Sequence, residues 1–383
     1  AARSSSTASS TPSSACAATV AQTLAQVGER IYRAAASSED VTQAVHRVQS
    51  SAALARAVAS GDAAAARAAL RSLQLGQIVR VQVLRGGRVL ASAGSGGALA
   101  PVRGSIPGTN ATFVLSVQSD ANYVEVARQV SGAQVQISSA AAHGGAGRWL
   151  AGAPHQALPA RGPVTLAGAR YEVASFAGSA FPSGGARIAL LVPASASSCA
   201  GSSAQARVET LGHVGERIYE EELHGASVAR TLRIMQASSA FQHAVAARSA
   251  SATRAAIVGF FRAHLHVVRV RVSVDGRLLV DVGGPYVLAP VHGTLRSGGR
   301  VVGRFTWAIQ DDAGYEKLAR LFTGAQVLMR EGSRQVMGTL SPGPASVPAR
   351  GTVGYGGRSY EAYSFDAEAF PAGPLRISLL LAS

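Results

Sequence analysis

Two arginines, Arg269 and Arg271, are the side chains best placed by spacing to grip a ligand. They alternate with Val268, Val270, Val272 and Val274. A period of two puts the valines on one face of a strand and both guanidiniums on the other. A guanidinium on a sheet face can hold a carboxylate through two parallel N–H bonds. It can equally be paired on its own sheet or lie in water. The strand and loop that follow add Asp281, Tyr286 and His292. A late strand carries Tyr360 and Tyr363, whose spacing sends them to opposite faces. At most one can face a pocket, and Tyr360 completes the candidate ligand-binding set. Trp307 lies on the apolar face of its strand with Phe305 and Ile309, which is core packing.

Signals for catalysis are thin. The chain has no Cys-x-x-Cys, no His-Glu-x-x-His, no Gly-x-Ser-x-Gly elbow and no Gly-Lys-Ser/Thr phosphate loop. His264 and His266 flank a helix-to-strand junction, but two histidines alone do not make a metal site. Asp311-Asp312 reads as a helix start rather than an acid/base pair. Gly354–Gly357 is a turn, and Asn110-Ala111-Thr112 is a bare sequon. The expectation is a protein with no catalytic activity, no metal and no cofactor.

The elements that must carry these residues occur twice. VGERIY stands at Val27–Tyr32 and again at Val214–Tyr219. Ala100–Gly104 (APVRG) returns as Ala289–Gly293 (APVHG), and Gly132–Val135 as Gly324–Val327. Tyr171-Glu172 and Phe181-Pro182 return as Tyr360-Glu361 and Phe370-Pro371. The offset stays between 187 and 192 residues, so two copies of one globular domain follow each other. In 383 residues each copy is long enough to bury a core. The expected division is a Ser/Thr/Ala tail over 1–16, a first repeat over 17–193, a linker over 194–203 and a second repeat over 204–383.

Composition bounds the class. Hydrophobic residues make up 47% of the chain, enough for a folded protein. The net charge is +15, but lysine occurs once, at Lys317, and the remaining basic residues are arginines scattered without blocks. That bias is what GC-rich coding produces. Without a recognition helix, zinc finger or base-stacking aromatics it argues against specific nucleic-acid binding. It leaves a general attraction to anionic surfaces. No apolar run is long enough to cross a bilayer. The Ser/Thr/Pro-rich opening resembles the start of a mature exported protein, so export with a removed signal peptide is expected. Cys16 and Cys199 each precede a VGERIY copy. They are either two unrelated small residues or a disulfide, which would require an oxidising compartment.

Each copy begins with helical stripes. Val208, Leu211, Val214 and Ile218 make the first in the second copy, and Val20, Leu24, Val27 and Ile31 match them. Helices over 227–248 and 250–264 follow, matched by 40–60 and 62–73. The period then changes to two. Strands are expected over 267–274, 277–282, 301–310, 325–330, 334–340, 358–365 and 375–381, with a helix over 312–322. The fold class is α+β: two copies of a domain with long N-terminal helices packed on a mainly antiparallel sheet of five or six strands.

Val268–Gly283 (VRVRVSVDGRLLVDVG), Gly284–Leu295 (GPYVLAPVHGTL) and Gly298–Asp312 (GGRVVGRFTWAIQDD) give strand, turn, strand, Gly/Pro loop and a further strand. In this order the chain resembles tandem Cache domains, the PAS-like extracytoplasmic sensors of bacteria. The Tyr/Arg/Trp/Tyr/Asp set of the amino-acid-binding branch is missing, as is any output segment. The resemblance implies a small polar or charged ligand held between the sheet and the loop-and-helix layer. It also implies an extracellular or cell-surface, bacterial location and a signalling partner protein. Homodimers and association with the cell envelope are compatible with it. The first copy has Arg80, Gln82, Ser92, Gly97, Arg103 and Leu115 where the second has Arg269, Arg271, Asp281, Tyr286, His292 and Trp307. The second copy is richer in binding side chains, so the ligand, anionic or zwitterionic, is expected there. The alternative is a cell-surface structural or interaction module with degenerate pockets.

Overall fold

The computed structural model describes residues 14–74, 77–140, 147–196, 202–263, 266–284 and 286–383. The chain divides into two compact units, Ala1–Ala206 and Arg207–Ser383. Unit 1 opens with helices α1 (Ser14–Ala36), α2 (Glu39–Gln49), α3 (Ala52–Ser60) and α4 (Ala63–Leu73). Strands β1 (Arg80–Arg85), β2 (Arg88–Ala93), β3 (Ala98–Leu99), β4 (Val102–Ser105), β5 (Ala111–Ser116) and β6 (Gln118–Ser119) follow. Helix α5 (Asp120–Ser131) precedes β7 (Gln134–Ser139), β8 (Trp149–Gly152), β9 (Arg161–Leu166), β10 (Ala169–Phe181) and β11 (Gly184–Pro193).

Unit 2 repeats this order. Its helices are α6 (Ser203–His224), which starts just ahead of the division, α7 (Ala226–Ala237), α8 (Ser239–Ala246) and α9 (Ala250–Arg262). Its strands are β12 (Arg269–Val274), β13 (Arg277–Gly283), β14 (Val287–Leu288), β15 (Val291–Ser297), β16 (Arg300–Ala308) and β17 (Gln310–Asp311). After α10 (Asp312–Thr323) come β18 (Gln326–Glu331), β19 (Arg334–Gly338), β20 (Arg350–Tyr355), β21 (Arg358–Phe370) and β22 (Gly373–Ala382).

Each unit holds two antiparallel sheets, not the single sheet of five or six strands expected from the sequence. In unit 1 a four-stranded sheet runs β2-β1-β5-β4. A second sheet runs β6-β3-β10-β11-β7-β8, with β9 paired to β10. Unit 2 has β13-β12-β16-β15 and β17-β14-β21-β22-β18-β19, with β20 on β21. The strand order second, first, fifth, fourth is thus used twice in each unit. The two-residue strands β3 and β14 leave the smaller sheet and join the larger one. Gly94 and Gly283 make that departure. Their φ angles are +95° and +128°, and a Cβ there would stand 2.2 and 2.1 Å from the carbonyl oxygens of Val79 and Val268. Only glycine fits.

The expected helix over 227–248 is two helices. Ser238 is extended, with ψ 106°, and its hydroxyl accepts the N–H of Phe241. It therefore stops α7 and caps α8. In unit 1 the 40–60 helix breaks likewise, where Ser51 caps α3 through Leu54. Helix α1 starts at Ser14, inside the stretch read as tail. Asp311, not Asp312, is the residue that caps α10, by accepting from the Gly314 N–H.

These short helices seal the four-stranded sheets. Leu54, Leu70 and Val58 pack on Val81, Val83, Phe113 and Leu115 in unit 1. Phe241, Ile257 and Phe260 pack on Val270, Val272, Phe305 and Trp307 in unit 2. Trp307 is fully buried, as its apolar strand face requires.

The repeated VGERIY is a docking device. Gly28 brings α1 against the larger sheet, where a Cβ would meet Leu190, the Tyr123 hydroxyl and Phe176 at 3.1 to 3.3 Å. Tyr123 donates to the Gly28 carbonyl at 2.8 Å, and Tyr315 to Gly215 at 2.9 Å. Tyr32 accepts the Ser179 N–H at 2.8 Å, and Tyr219 accepts that of Glu368 at 2.8 Å. In each unit the motif thus bonds the long helix to the middle helix and to the long strand.

Candidate functional site

The arginines of unit 2 are already engaged. Strand β12 lies between β13 and β16, and one cross-strand row reads Asp281, Arg271, Thr306, His292. The row sits on the face away from the helices. Arg269 Nε and one Nη reach the two Asp281 oxygens at 2.8 Å each, and its other Nη bonds the Gly284 carbonyl at 3.0 Å. The hydrogen bonds to Asp281 raise the Arg269 pKa above its ordinary value. Arg271 stands 3.6 Å from the same carboxylate. Both guanidiniums lie over the Phe370 ring, at 5.3 and 5.9 Å. His292 Nδ1 meets the Thr306 hydroxyl at 3.1 Å.

Arg269, Arg271, Asp281 and His292 therefore share one face, which the alternation implies for the two arginines and the cross-strand register adds for the other two. Asp281 serves as the counter-ion of the two arginines, so neither is vacant for a ligand carboxylate. The other two candidates lie elsewhere. Tyr360 is buried in the larger sheet against Leu328, Ala362 and Leu380. Tyr363 faces the opposite side and donates to Glu216 at 2.7 Å. The Tyr286 hydroxyl is buried and has no hydrogen-bond partner among the described residues. Burial first, then the charge of Glu331, pushes its pKa up to about 12. Asp312 also contributes to that shift.

An open cavity among the described residues lies in unit 1, which sequence comparison ranked second. It measures about 370 Å³ and lies beside the outer face of β1, at the end of the larger sheet and the start of α5. It is lined by Arg80, Asp120, Arg148, Trp149 and Phe181, with Leu99 and Ile137 as apolar floor. Arg80 matches Arg269, keeps a bond to the Gly96 carbonyl at 2.7 Å and lies over Phe181 at 5.4 Å. Its carboxylate partner is gone, because Ser92 stands where unit 2 has Asp281. Among the described residues no carboxylate pairs with Arg80 or Arg148. Asp120 uses one oxygen to hold the Ala121 N–H at 2.7 Å at the start of the helix. Its other oxygen faces Gly97, where a Cβ would stand only 2.1 Å away. Trp149 stacks on His155 at 4.3 Å and anchors its indole N–H on the Gly152 carbonyl at 3.0 Å.

The wall is glycine at 97 in unit 1 and tyrosine at 286 in unit 2. Asp312, the counterpart of Asp120, lies within electrostatic reach of the Tyr286 hydroxyl. Unit 1 therefore offers two guanidiniums, one carboxylate and two aromatic rings around space of ligand size. The signal for this in the sequence was the loss of side chains at Ser92 and Gly97, which reads as decay until the register is known.

Cys16 is disulfide-bonded. Cys199, its expected partner, lies outside the described residues, as does His264 of the His264/His266 pair. Among the described residues no three His, Cys, Asp or Glu side chains gather as a metal site. No helix among them is long and apolar enough to cross a membrane.

No protein-family model matches the chain, and no curated protein matches it. Among solved structures it is similar to an extracellular ligand binding receptor from Desulfohalobium retbaense DSM5692, at 10% identity and a TM-score of 0.29. The match covers 57% of this chain and 46% of that receptor, less than half of its length. A likeness that thin assigns no function.

Proposed function

We propose that the chain is an exported, non-catalytic sensor that binds a small anionic or zwitterionic molecule in the unit 1 cavity. The observation that carries this reading is the contrast at one strand position. Arg269 is closed by Asp281, whereas Arg80 borders open space with Asp120 on the same wall. Arg80 and Arg148 suit a carboxylate or phosphate, and Asp120 an ammonium group. Phe181 and Trp149 suit an apolar or cationic body between them. The tandem sheet-rich units with long leading helices agree with the Cache resemblance. So does the coupling of α1 to the middle helix and sheet through Gly28, Tyr32 and Tyr123, a route by which occupancy could reach a signalling partner. No cofactor or metal enters this reading. For unit 2, where the arginines carry their own counter-ion, the structural or interaction role is the better supported one.

Titration calorimetry tests the placement, using a ligand found by thermal-shift screening of amino acids, carboxylic acids, purines and polyamines. Arg80→Gln should weaken binding by about ten- to hundred-fold, the worth of a charge-assisted hydrogen bond of roughly 1.5–3 kcal/mol. Arg269→Gln should leave it unchanged. The reverse pattern would move the site to unit 2.

A further inference from the structure

The smaller sheet of unit 2 ends in a tip that nothing in the sensor reading uses. Two hairpin turns, Asp275-Gly276 and Gly298-Gly299, close β12 to β13 and β15 to β16. Leu278 opposes Ser273, which opposes Arg304 on the next strand. Both turns therefore project from the same end of the sheet. Leu278 is 56% exposed and Val301 51%, the two most solvent-open large aliphatics among the described residues of this unit. Arg277, Arg296, Arg300 and Arg304 surround them, all exposed. The acidic residues between Val267 and Gln310 are Asp275 and Asp281. Asp275 is paired with Arg248, and Asp281 with Arg269 and Arg271. The tip is thus apolar at its points and cationic at its sides.

We infer that this tip docks on an anionic lipid surface. Leu278 and Val301 enter the headgroup boundary, and Arg277, Arg296 and Arg300 hold lipid phosphates. A soluble anionic polymer would use the arginines but gain nothing from two aliphatic side chains presented to water. A lipid interface uses both, since apolar insertion and attraction to anionic headgroups add. Unit 1 provides an internal comparison. Its first hairpin keeps Val89, 54% exposed, next to the cross-strand pair Arg85 and Arg88. Its second turn, however, folds Ile106 inward to 1% exposure and carries no arginine from Gly104 to Ala111. The second unit should therefore dominate docking.

Vesicle co-sedimentation of the whole chain tests this, with vesicles of equal parts phosphatidylglycerol and phosphatidylcholine against phosphatidylcholine alone. Binding should require the anionic lipid and weaken with salt. Arg277→Gln with Arg300→Gln should lower the partition coefficient about 25-fold, roughly five-fold per arginine. Leu278→Ser with Val301→Ser should also reduce it, while Val89→Ser has little effect. Circular dichroism and thermal melting of each variant establish that it is folded. No binding to anionic vesicles would overturn the inference. So would binding that the Leu278/Val301 double variant leaves intact, or an equal affinity for polyphosphate, because either means general charge attraction without insertion.

Discussion

Arg269 shows how much of the chemistry is decided by one register step. Without the bulge between Val272 and Ser273, Arg271 would face Val280; with it, Arg271 faces Asp281. The alternation of valine and arginine was legible in the sequence, and so was the shared face of Arg269 and Arg271; that His292 joins it was not. The bulge was not, and it brings Asp281 alongside both guanidiniums. Glu222 illustrates a second hidden effect. It is buried on α6, one of its oxygens lacks a partner among the described residues, and α6 gives no sequence sign of this. Burial first, then the neighbouring Asp311, pushes its pKa from 4.5 up to about 8. The folded state thus holds this proton more tightly than the unfolded state does. The stability it contributes is complete below the unfolded value and is lost as pH rises through about 8. Glu222→Gln should remove that loss, which amounts to about 1.4 kcal/mol for each pKa unit. Urea unfolding in acidic and in alkaline buffer reads it out: the variant should be the more stable protein only on the alkaline side. An unchanged pH profile would mean that the carboxyl is solvated.

At the scale of elements, the helix-to-sheet docking sets the sharpest constraints. Gly212 on α6 lies flat on Tyr363, so a Cβ there would stand 2.1 Å from the ring. Tyr363 in turn bonds Glu216 and sits under Arg350, whose guanidinium carbon is 3.4 Å from the ring centre. Gly212→Ala must therefore push helix and strand apart, at a cost of about 1–3 kcal/mol. Gly28→Ala should cost less, because its nearest neighbours stand at 3.1 Å or more and include the ends of side chains. Chemical unfolding of the two variants compares them, and equal losses would contradict the packing described. The apolar stripes of α1 and α6 were plain in the sequence. The serines that split the following helices were not, since a mid-helix serine and a cap look alike until the backbone around Ser238 or Ser51 is seen.

Over the whole molecule, the duplication and the α+β class were legible, because repeated blocks and changes of period need no tertiary information. The second sheet in each unit was not. Val287-Leu288 and Ala98-Leu99 are too short for any period, and they decide which strands leave the smaller sheet. Expecting the ligand in the second copy followed from counting side chains. In the folded chain the same losses, at Ser92 and Gly97, free Arg80 and open the cavity, while Asp281 and Tyr286 occupy the matching positions of unit 2. The account rests on that divergence between copies. Its most direct test is thermal shift of the native chain, Arg80→Gln, Asp120→Asn and Arg269→Gln across one panel of amino acids and carboxylic acids. A ligand at about 100 times its dissociation constant stabilises the native state by roughly 2.7 kcal/mol, a shift of a few degrees. The expected result is a shift in the native chain that persists in Arg269→Gln and falls by about half or more in Arg80→Gln and Asp120→Asn. A shift that disappears only in Arg269→Gln, or none with any compound, would contradict it.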